Sequence, residues 1–401
     1  MYLYVLACSL LVSVIGLGSL YAVRVQARSC RLMRDYAEAR TCAVSAIELG
    51  MLHVKADSAW RTTWPNGTWM LDKPLGSGTF TLQGTDPQDG DMANSPYNPL
   101  VLTGIGAKGV ARHKVQVVLA PVIKPIGALT SCLHGSGSLK VNGGKQITAV
   151  GAPVCTNGQL DNDGTIDGAA EAQSVADTGT ITGGLTVPAA AKSMPEAGLI
   201  AKYAAKGTVV AFASTLEKFV LAPGYSTFGT ADPNGLYVTN TNNGNLTLQK
   251  CRIWGTLVVQ AGTGTVTLDD PVFLQNYRSD FPTLLVAGNV VIKNTSATTQ
   301  CAESACATNF NPAGAPYLGV TDTDMTDSYP NEIRGLVHIE GSLDLDKTAR
   351  VIGVVICNGV VTCKDTNTIT YTPSLYACPP RWYTYVESMK PSPGSWRQLI
   401  D

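Results

Sequence analysis

The most constraining feature of the sequence is its N-terminal segment, where an apolar run continues into an amphipathic helical pattern. Residues 1–23 contain no charged side chain, and that length is enough for a helix to span a bilayer. The stretch "VLACSLLVSVIGLGSLYAVRVQARSCRLMRDYAEARTCAVSAIELGML", Val5 to Leu52, holds no proline and no cluster of turn residues. We therefore predict one helix ending near Ala56, before the "WPNG" turn, and assign residues 1–58 to a transmembrane and amphipathic helix.

One face of the amphipathic half carries mostly small residues. At alternating steps of three and four it is formed by Leu32, Tyr36, Ala39, Ala43, Ala46 and Gly50. Small side chains let a helix approach its neighbour closely. We predict that the last four form an assembly face, toward helices of partner subunits or toward a sheet in residues 60–125. A signal anchor followed by a plain stalk is the alternative interpretation of the whole segment.

The cysteines indicate an oxidising compartment. Eleven are present, and the eight outside the first helix are Cys132, Cys155, Cys251, Cys301, Cys306, Cys357, Cys363 and Cys378. An even number behind an N-terminal apolar segment favours disulfides, and the spacings fit no zinc motif. The local pairs Cys301 with Cys306, and Cys357 with Cys363, are the disulfide candidates. The full connectivity stays open, because eight cysteines allow 105 pairings.

The charges flanking the apolar run indicate the opposite compartment for the bulk of the chain. Its N-terminal side has no Lys or Arg, whereas Arg24, Arg28, Arg31 and Arg34 follow it. By the positive-inside rule, this pattern places the bulk of the chain in the cytoplasm. We give the cysteines more weight and expect a single-pass inner-membrane protein with a periplasmic or cell-surface ectodomain. We expect no nucleic-acid partner, because Lys plus Arg number 29 against 30 for Asp plus Glu.

The pattern of residues 59–130 predicts a small β-rich region packed on the helix. The segments "TFTLQ" and "HKVQVVLAP" alternate apolar and polar residues, as half-buried strands do. Between them, "DPQDGDMANSPYNP" groups the carboxylates of Asp86, Asp89 and Asp91. Such a loop can bind calcium, and the three residues are the candidate ligands. The alternative is a turn rich in Asp, Pro and Gly with no cofactor, which we favour.

Residues 131–378 carry recurrent short apolar strands, including "CRIWGTLVV", "PTLLVAGNVVIK" and "GLVHIEGSLDL", with starts about every ten residues. That interval fits solenoid coils or sandwich strands, and scarce hairpin dipeptides favour a parallel β-helix. Within it, Ser193 and Glu196 have capping-box spacing and predict a short helix over Pro195 to Ala205. We expect the aromatic tail, residues 379–401, to cap the last coil. The fold class is therefore mainly β, with a long N-terminal helix, a small α+β pilin-like region and a parallel β-helix.

The sequence resembles a known combination of segments. The helix "YAEARTCAVSAIELGM" resembles the N-terminal region of PilX-type minor pilins and K-type pseudopilins of type II secretion. The segments "CRIWGTLVV", "FPTLLVAGNV", "RGLVHIEGSL" and "ITYTPSLYACPP" resemble polymer-forming-like β-helical ectodomains of planctomycete type. This resemblance implies a membrane-tethered structural subunit of a type IV pilus or type II secretion assembly, with other pilin-like subunits as partners.

Two other functions remain open. Parallel β-helices also host carbohydrate-active enzymes, which need clustered acidic side chains. Asp269 and Asp270, followed by Arg278 and Asp280, are the near candidates, but they fall at strand ends, and we expect no enzyme. A surface adhesin held by a signal anchor is the third hypothesis. The sequence of a leader ahead of Met1 would decide whether the chain is processed as a pilin.

Overall fold

The computed structural model describes residues 1–293 and 300–400, and the chain forms two compact units. The first comprises Met1–Lys124 with Val386–Asp401, and the second comprises Pro125–Tyr385. The fold is mainly β with one long N-terminal helix and a large parallel sheet, which confirms the predicted class.

The first unit joins the long helix to an antiparallel sheet. Helix α1 spans Tyr2–Ala56, and Asp57 leaves it with extended backbone. A short helix, α2, follows at Trp60–Thr63. The first four strands are β1 (Gly67–Leu75), β2 (Gly78–Thr85), β3 (Leu100–Lys108) and β4 (Ala111–Pro125). They pair in chain order, and Lys108 opposite Ala111 closes the hairpin between β3 and β4.

The core of this unit lies between the C-terminal half of α1 and one face of the sheet. Ile47, Leu82, Leu102 and Val117 are each 0% exposed there. Side chains alternate in and out along β4, as the half-buried pattern of "HKVQVVLAP" predicts. Burying this face supplies the main stabilisation of the unit, because each large apolar side chain contributes roughly 1.5–3 kcal/mol on leaving water.

The second unit contains most of the strands. In chain order they are β5 (Leu133–Gly135), β6 (Leu139–Val141), β7 (Gln146–Val150), β8 (Val154–Asn162), β9 (Thr165–Asp167), β10 (Ala170–Asp177), β11 (Thr180–Ile181), β12 (Leu185–Thr186), β13 (Thr208–Val209), β14 (Thr215–Ala222), β15 (Tyr225–Ser226), β16 (Leu236–Asn240), β17 (Leu246–Trp254), β18 (Thr256–Asp269), β19 (Val272–Gln275), β20 (Leu284–Lys293), β21 (Cys301–Ala302), β22 (Ser328–Tyr329), β23 (Glu332–Ile339), β24 (Leu343–Leu345), β25 (Arg350–Cys357), β26 (Val361–Cys363) and β27 (Asn367–Tyr371). Short helices occur at Gly127–Thr130 (3-10), α3 (Leu199–Ala204), α4 (Glu303–Cys306) and α5 (Ser374–Ala377).

Pairing between coils is parallel, as a β-helix requires. Strand β18 pairs with β20 in parallel, with Val258 opposite Leu285 and Val266 opposite Val290. Strand β17 pairs in parallel with β19, and β23 with β25. The antiparallel sandwich alternative is therefore wrong for these segments. Inward Val, Leu and Ile side chains stack along the coils into one continuous buried core.

The coils do not stack in simple chain order. Strand β5, in the first coil, pairs with β8 on one side and with β25, near the end of the chain, on the other. Leu133 thus lies opposite both Val154 and Val355. One group of coils runs from β5 to β12, and the group starting at β13 winds back until β25–β27 meet β5–β7. The last coil is therefore covered by the first.

The predicted short helix forms, but with different limits. Helix α3 begins at Leu199 after Gly198, which adopts a left-handed conformation, and no side chain caps it. Ser193 is not a capping residue, because its Oγ accepts a hydrogen bond from the Gly127 amide at 2.7 Å. The buried side chains of Leu199, Ile200 and Tyr203 pack on the outer face of the coils.

The C-terminal tail corrects a prediction. Strands β28 (Thr384–Pro391) and β29 (Arg397–Leu399) join the sheet of the first unit beside β4. Arg397 pairs with Gln116, and Leu399 with Lys114. The proposed role of residues 379–401 as a cap is wrong for this part, because the last coil already has a partner in β5–β7. The division at 130 likewise moves to Pro125.

Candidate functional sites

The N-terminal half of α1 is exposed along its whole length and all around its circumference. Residues 1–34 are all exposed, including Leu11, Leu17, Leu20 and Val23, each at least 60% exposed. Among the described residues, α1 is the one helix long and apolar enough to span a membrane. From Tyr2 to Val23 this half carries no charged residue on any side, so it has no preferred face to bury against its own chain. This half is therefore a candidate membrane anchor.

The small-residue stripe lies in the buried half of the same helix. Ala39, Ala43 and Ala46 are 0% exposed, and Gly50 is buried. Their partner is the sheet of the first unit. A Cβ built on Gly106 would lie 1.9 Å from the Ala39 carbonyl oxygen, and one on Gly104 would lie 2.1 Å from that of Ala43. Helix and strand thus approach to a distance that only glycine allows.

This packing selects one of the two partners predicted for the assembly face. The four small residues were expected to meet helices of partner subunits or the sheet of the same chain. The structure places them on that sheet, so side chains without exposed surface are not free to contact another subunit. The signal that sequence reasoning missed is "GIG" in β3, because residues two apart in a strand share a face. Two glycines on one face mark the groove that receives the helix.

Polar contacts fix the edge of this interface. The Tyr36 hydroxyl lies 3.0 Å from His113 Nδ1 and accepts a hydrogen bond from the Gln398 amide at 3.0 Å. Glu38 accepts a 2.6 Å hydrogen bond from Ser77 and lies 3.4 Å from the Lys108 ammonium. The hydrogen bond from Ser77, with the charge of Lys108, lowers the pKa of Glu38. These pairs hold the helix in register where its apolar contacts end.

The three aspartates predicted as calcium ligands act as turn residues in the structure. Asp86 accepts from the Gln88 amide, Asp89 from the Asp91 amide and Asp91 from the Ala93 amide, at 2.7–3.0 Å. Burial acts to raise the pKa of Asp86, but hydrogen bonds from the Gln88 amide and the Asn98 side chain outweigh it and lower the pKa. Each carboxylate caps a separate turn, which is the alternative favoured from the sequence.

The disulfide candidates are buried free thiols. Cys301 and Cys306 lie in one apolar cluster and hydrogen-bond to each other, which raises the pKa of Cys301. Cys357 donates to the Gly341 carbonyl at 3.1 Å, and Cys363 donates to that of Asp365 at 3.0 Å. Burial raises the pKa of Cys357 to about 12. The first pair is adjacent in space, whereas the thiols of the second pair have separate partners, and disulfide formation stays a prediction.

The acidic residues considered for an enzyme fall into different networks. Asp280 binds Arg278 at 2.8 Å and Arg381 at 2.9 Å, and the hydrogen bond from Arg278 lowers its pKa. Asp270 instead accepts a hydrogen bond from Asn331. General acid catalysis needs a carboxyl group whose pKa is raised, so the Asp280 network is organised for ion pairing.

A second acidic cluster escaped the sequence analysis. In the described residues, carboxylate oxygens of Glu303, Asp322 and Asp327 all lie within 4.8 Å of one another. They are scattered through a long excursion between β20 and β23, so no short motif marks them. "TDTDMTD" shows alternating carboxylates, but nothing in the sequence connects it to a glutamate that precedes it at the start of the excursion.

Comparison with known proteins gives distant similarities of fold. No protein-family model and no curated protein matches the chain. The DUF3494 domain of an ice-binding protein from Shewanella frigidimarina is similar with 15% identity and a TM-score of 0.33, covering 63% of this chain and 98% of that one. LeIBP, an ice-binding protein from an Arctic yeast, has 11% identity and a TM-score of 0.30, covering 61% and 93%.

The competence-associated pilin ComZ from Thermus thermophilus is also distantly similar. It shares 11% identity with a TM-score of 0.27, covering 92% of this chain and 97% of that one. With TM-scores below 0.5, none of the three structures carries an argument about what this chain does.

Proposed function

We propose that the chain is a non-enzymatic, membrane-anchored structural subunit, pilin-like or pseudopilin-like, of a type IV pilus or type II secretion assembly. The single observation that carries the proposal is that the two halves of the continuous helix α1 have different surroundings. One continuous helix of 55 residues has an apolar half that none of the described residues covers and a half that packs on an antiparallel sheet. A plain stalk has no need of such a sheet.

The exposed half supplies the two properties that such a subunit requires. Before assembly it sits in the bilayer, where an apolar helix satisfies all its backbone hydrogen bonds internally. After assembly the same surface packs against the helices of neighbouring subunits. The proposal therefore locates assembly N-terminal to Ala39 and assigns the small-residue stripe to holding the sheet. The second unit, the β-helix, is displayed outside the inner membrane.

The test uses the full chain expressed in its native host. Leu11→Asp places a charge in the exposed apolar half, and Val110→Asp, at a turn where the side chain is 84% exposed, is the matched control. We expect wild type and Val110→Asp in the membrane fraction after alkaline washing, and in crosslinked complexes with other subunits. Leu11→Asp should be lost from both, because a carboxylate inside the bilayer costs about 2.5–3.5 kcal/mol.

Two results would contradict the proposal. If Leu11→Asp remains in membranes and in complexes, the exposed half does not carry the function. If wild type is membrane-bound but stays monomeric after crosslinking, the segment is an anchor with a stalk and the adhesin hypothesis takes its place.

A further inference from the structure

A groove of about 630 Å³ lies on the outer surface of the β-helix, beside helix α3. The described residues that line it all belong to the second unit. Small and polar side chains dominate the lining. They include the amides of Asn240, Asn243, Gln260 and Asn289 and the carboxylate of Glu340.

Four of the lining residues stand in one row across successive coils. Asn240 lies opposite Gln260, and Gln260 lies opposite Ala287. Ala287 and Glu340 each follow a residue of a parallel pair between β20 and β23, so they are neighbours in turn. The residues before them point into the buried core, so these side chains point outward. At about 4.8 Å per coil the row spans about 14 Å, the length of about four residues of extended chain.

Glycines beside this row keep the groove open. A Cβ on Gly341 would lie 2.4 Å from the Gly288 carbonyl oxygen, and one on Gly262 would lie 2.0 Å from Asn243 Oδ1. Successive coils approach each other here to a distance that excludes a side chain. The floor of the groove is therefore bare main chain, which another main chain can approach closely.

The amides of the groove have a fixed orientation. Asn240 Oδ1 accepts a hydrogen bond from the Asn242 amide at 2.9 Å, and Asn243 Oδ1 accepts one from the Thr263 amide at 3.2 Å. Asn289 Oδ1 accepts from a third main-chain amide at 2.9 Å. In the described part of the chain, the NH₂ groups of these three side chains donate to no protein atom. The groove therefore offers a set of donors to a ligand with several acceptors.

Glu340 adds a negative charge at one end of the row. Its side chain is half-buried, and burial alone raises the pKa of its carboxyl group. Within residues 1–293 and 300–400, no Lys or Arg forms an ion pair with it. A carboxylate in such surroundings is stabilised by a ligand that brings a cation. The groove therefore fits a ligand with several carbonyl acceptors and one positive charge.

The segment between β12 and α3 shows how this row of side chains holds a polypeptide. The row continues over the next coils to Asn157, because the strands of these coils pair in parallel and in register. Asn157 Nδ2 donates to the Lys192 carbonyl at 2.8 Å, and Asn157 Oδ1 accepts from the Lys192 amide at 2.8 Å. The Lys192 ammonium lies 3.0 Å from the Glu171 carboxylate. An amide of the row and a nearby carboxylate thus hold the main chain and the charge of one lysine.

We propose that the groove binds an extended polypeptide segment of a partner protein that contains a lysine or an arginine. Its carbonyl groups accept hydrogen bonds from the three amides, and its cation pairs with Glu340. The occupant comes from another protein, because the chain's own segment is already held at Asn157. An oligosaccharide fits less well, because none of the described residues lining the groove offers an aromatic ring on which a sugar could stack.

The test measures fluorescence anisotropy of labelled ligands mixed with the full-length protein in detergent. The first ligand is an acetylated and amidated hexapeptide with the sequence AAAKSM, copied from residues 189–194. The second ligand has glutamate in place of the lysine. We expect saturable binding of the lysine peptide and binding of the glutamate peptide that is weaker by about tenfold or more, the loss of one charge-assisted hydrogen bond.

Three variants locate the binding. Glu340→Gln should weaken the lysine peptide by about tenfold, whereas the matched control Glu217→Gln, whose carboxylate lies in β14, should leave it unchanged. Ala287→Arg places a cation beside Glu340 in the row and fills the groove. It should abolish peptide binding while the melting temperature stays at least as high as that of the wild type, which excludes misfolding as the cause.

Several results would overturn the proposal. They are a lack of saturable binding by the lysine peptide, equal binding of the two peptides, equal loss in Glu340→Gln and Glu217→Gln, and unchanged binding by Ala287→Arg. Labelled chitotetraose is the third ligand. If it binds where the peptides do not, and Ala287→Arg abolishes that binding, the groove is a sugar site and the peptide assignment is wrong.

Discussion

Gly106→Ala tests the packing of α1 on the sheet with the smallest possible change. The new Cβ would lie 1.9 Å from the Ala39 carbonyl oxygen, 2.6 Å from the Ala43 nitrogen and 2.9 Å from the Ala39 carbonyl carbon. All three are backbone atoms of a helix, which cannot rotate away as a side chain would. The helix and strand must therefore separate.

The size of the effect follows from that separation. Ordinary van der Waals contact for a Cβ starts at 3.4 Å, so the gap must open by about 1.5 Å along this direction. A gap of half that size already loses a quarter to a half of the attraction between facing atoms. Overpacking of this kind costs about 1–3 kcal/mol, and we expect the upper end because rigid backbone opposes it. The melting temperature of the first unit should then fall by about 10 °C.

The assay is thermal unfolding of the full chain in detergent, followed by tryptophan fluorescence. Trp60 and Trp69 are buried in this unit and report its opening. Gly18→Ala is the control, since a Cβ there meets nothing within 4 Å. Gly104→Ala should behave like Gly106→Ala. If Gly106→Ala unfolds at the same temperature as the control, close helix–sheet approach does not stabilise the unit.

Three further predictions concern the second unit. Burial, with the charge of Lys192, lowers the pKa of His134 to about 4, so the unfolded chain binds a proton below pH 6.5 that the folded chain does not bind. His134 alone should lower the free energy of unfolding by about 3 kcal/mol between pH 6.5 and 4, so urea titrations of His134→Leu should show a smaller loss over that range than wild type. An unchanged pH profile would refute this. Arg252→Leu should lower the free energy of opening the segment between β21 and β22 by roughly 3 kcal/mol, because the carbonyls of Phe310, Ala315 and Pro316 lose their donor. Chymotrypsin should then cleave this segment faster, and an unaltered cleavage rate would contradict the prediction. Maleimide labelling of denatured, unreduced protein from cells should find Cys301 and Cys306 blocked by a disulfide, and free labelling of both would reject an oxidising compartment.

The sequence predicted those parts of the fold that depend on local pattern. The helix from Tyr2 to Ala56 follows from uninterrupted apolar and amphipathic spacing, because helix formation depends on neighbours within a turn. The parallel coils follow from short Val- and Ile-rich strands separated by small turn residues.

Long-range pairing could not be predicted in the same way. Nothing local indicates that Leu133, in the first coil, pairs with Val355, in the last, or that Arg397 returns to Gln116. Both pairings satisfy sheet edges that the chain would otherwise expose, and many strands could have served. Because no local pattern shows where the tail pairs, the sequence predicts a cap for residues 379–401, whereas the structure places strands of the tail beside β4.

The site residues show the same limit. Ala39 and Ala43 belong to a stripe of small residues that predicts close packing, but such a stripe does not specify its partner, which in the structure is the sheet of the same chain. The loop at Asp86 is a candidate calcium site in the sequence because its carboxylates are close along the chain. In the structure each of these carboxylates accepts a hydrogen bond in its own turn. Glu303 and Asp327 are distant in sequence and close in space, which only the folded excursion shows.

Crosslinking through Cys30 tests the central claim, assembly through the exposed half of α1, most directly. Cys8, Cys30 and Cys378 are the exposed thiols of the described residues, so Cys8→Ser with Cys378→Ser leaves Cys30 alone on the helix surface. In intact membranes of the native host, a short bismaleimide should join Cys30 to neighbouring subunits, and Leu11→Asp should abolish the product. If Cys30 reacts fully with a simple maleimide yet gives only monomers with the crosslinker, the helix does not assemble and the account is wrong.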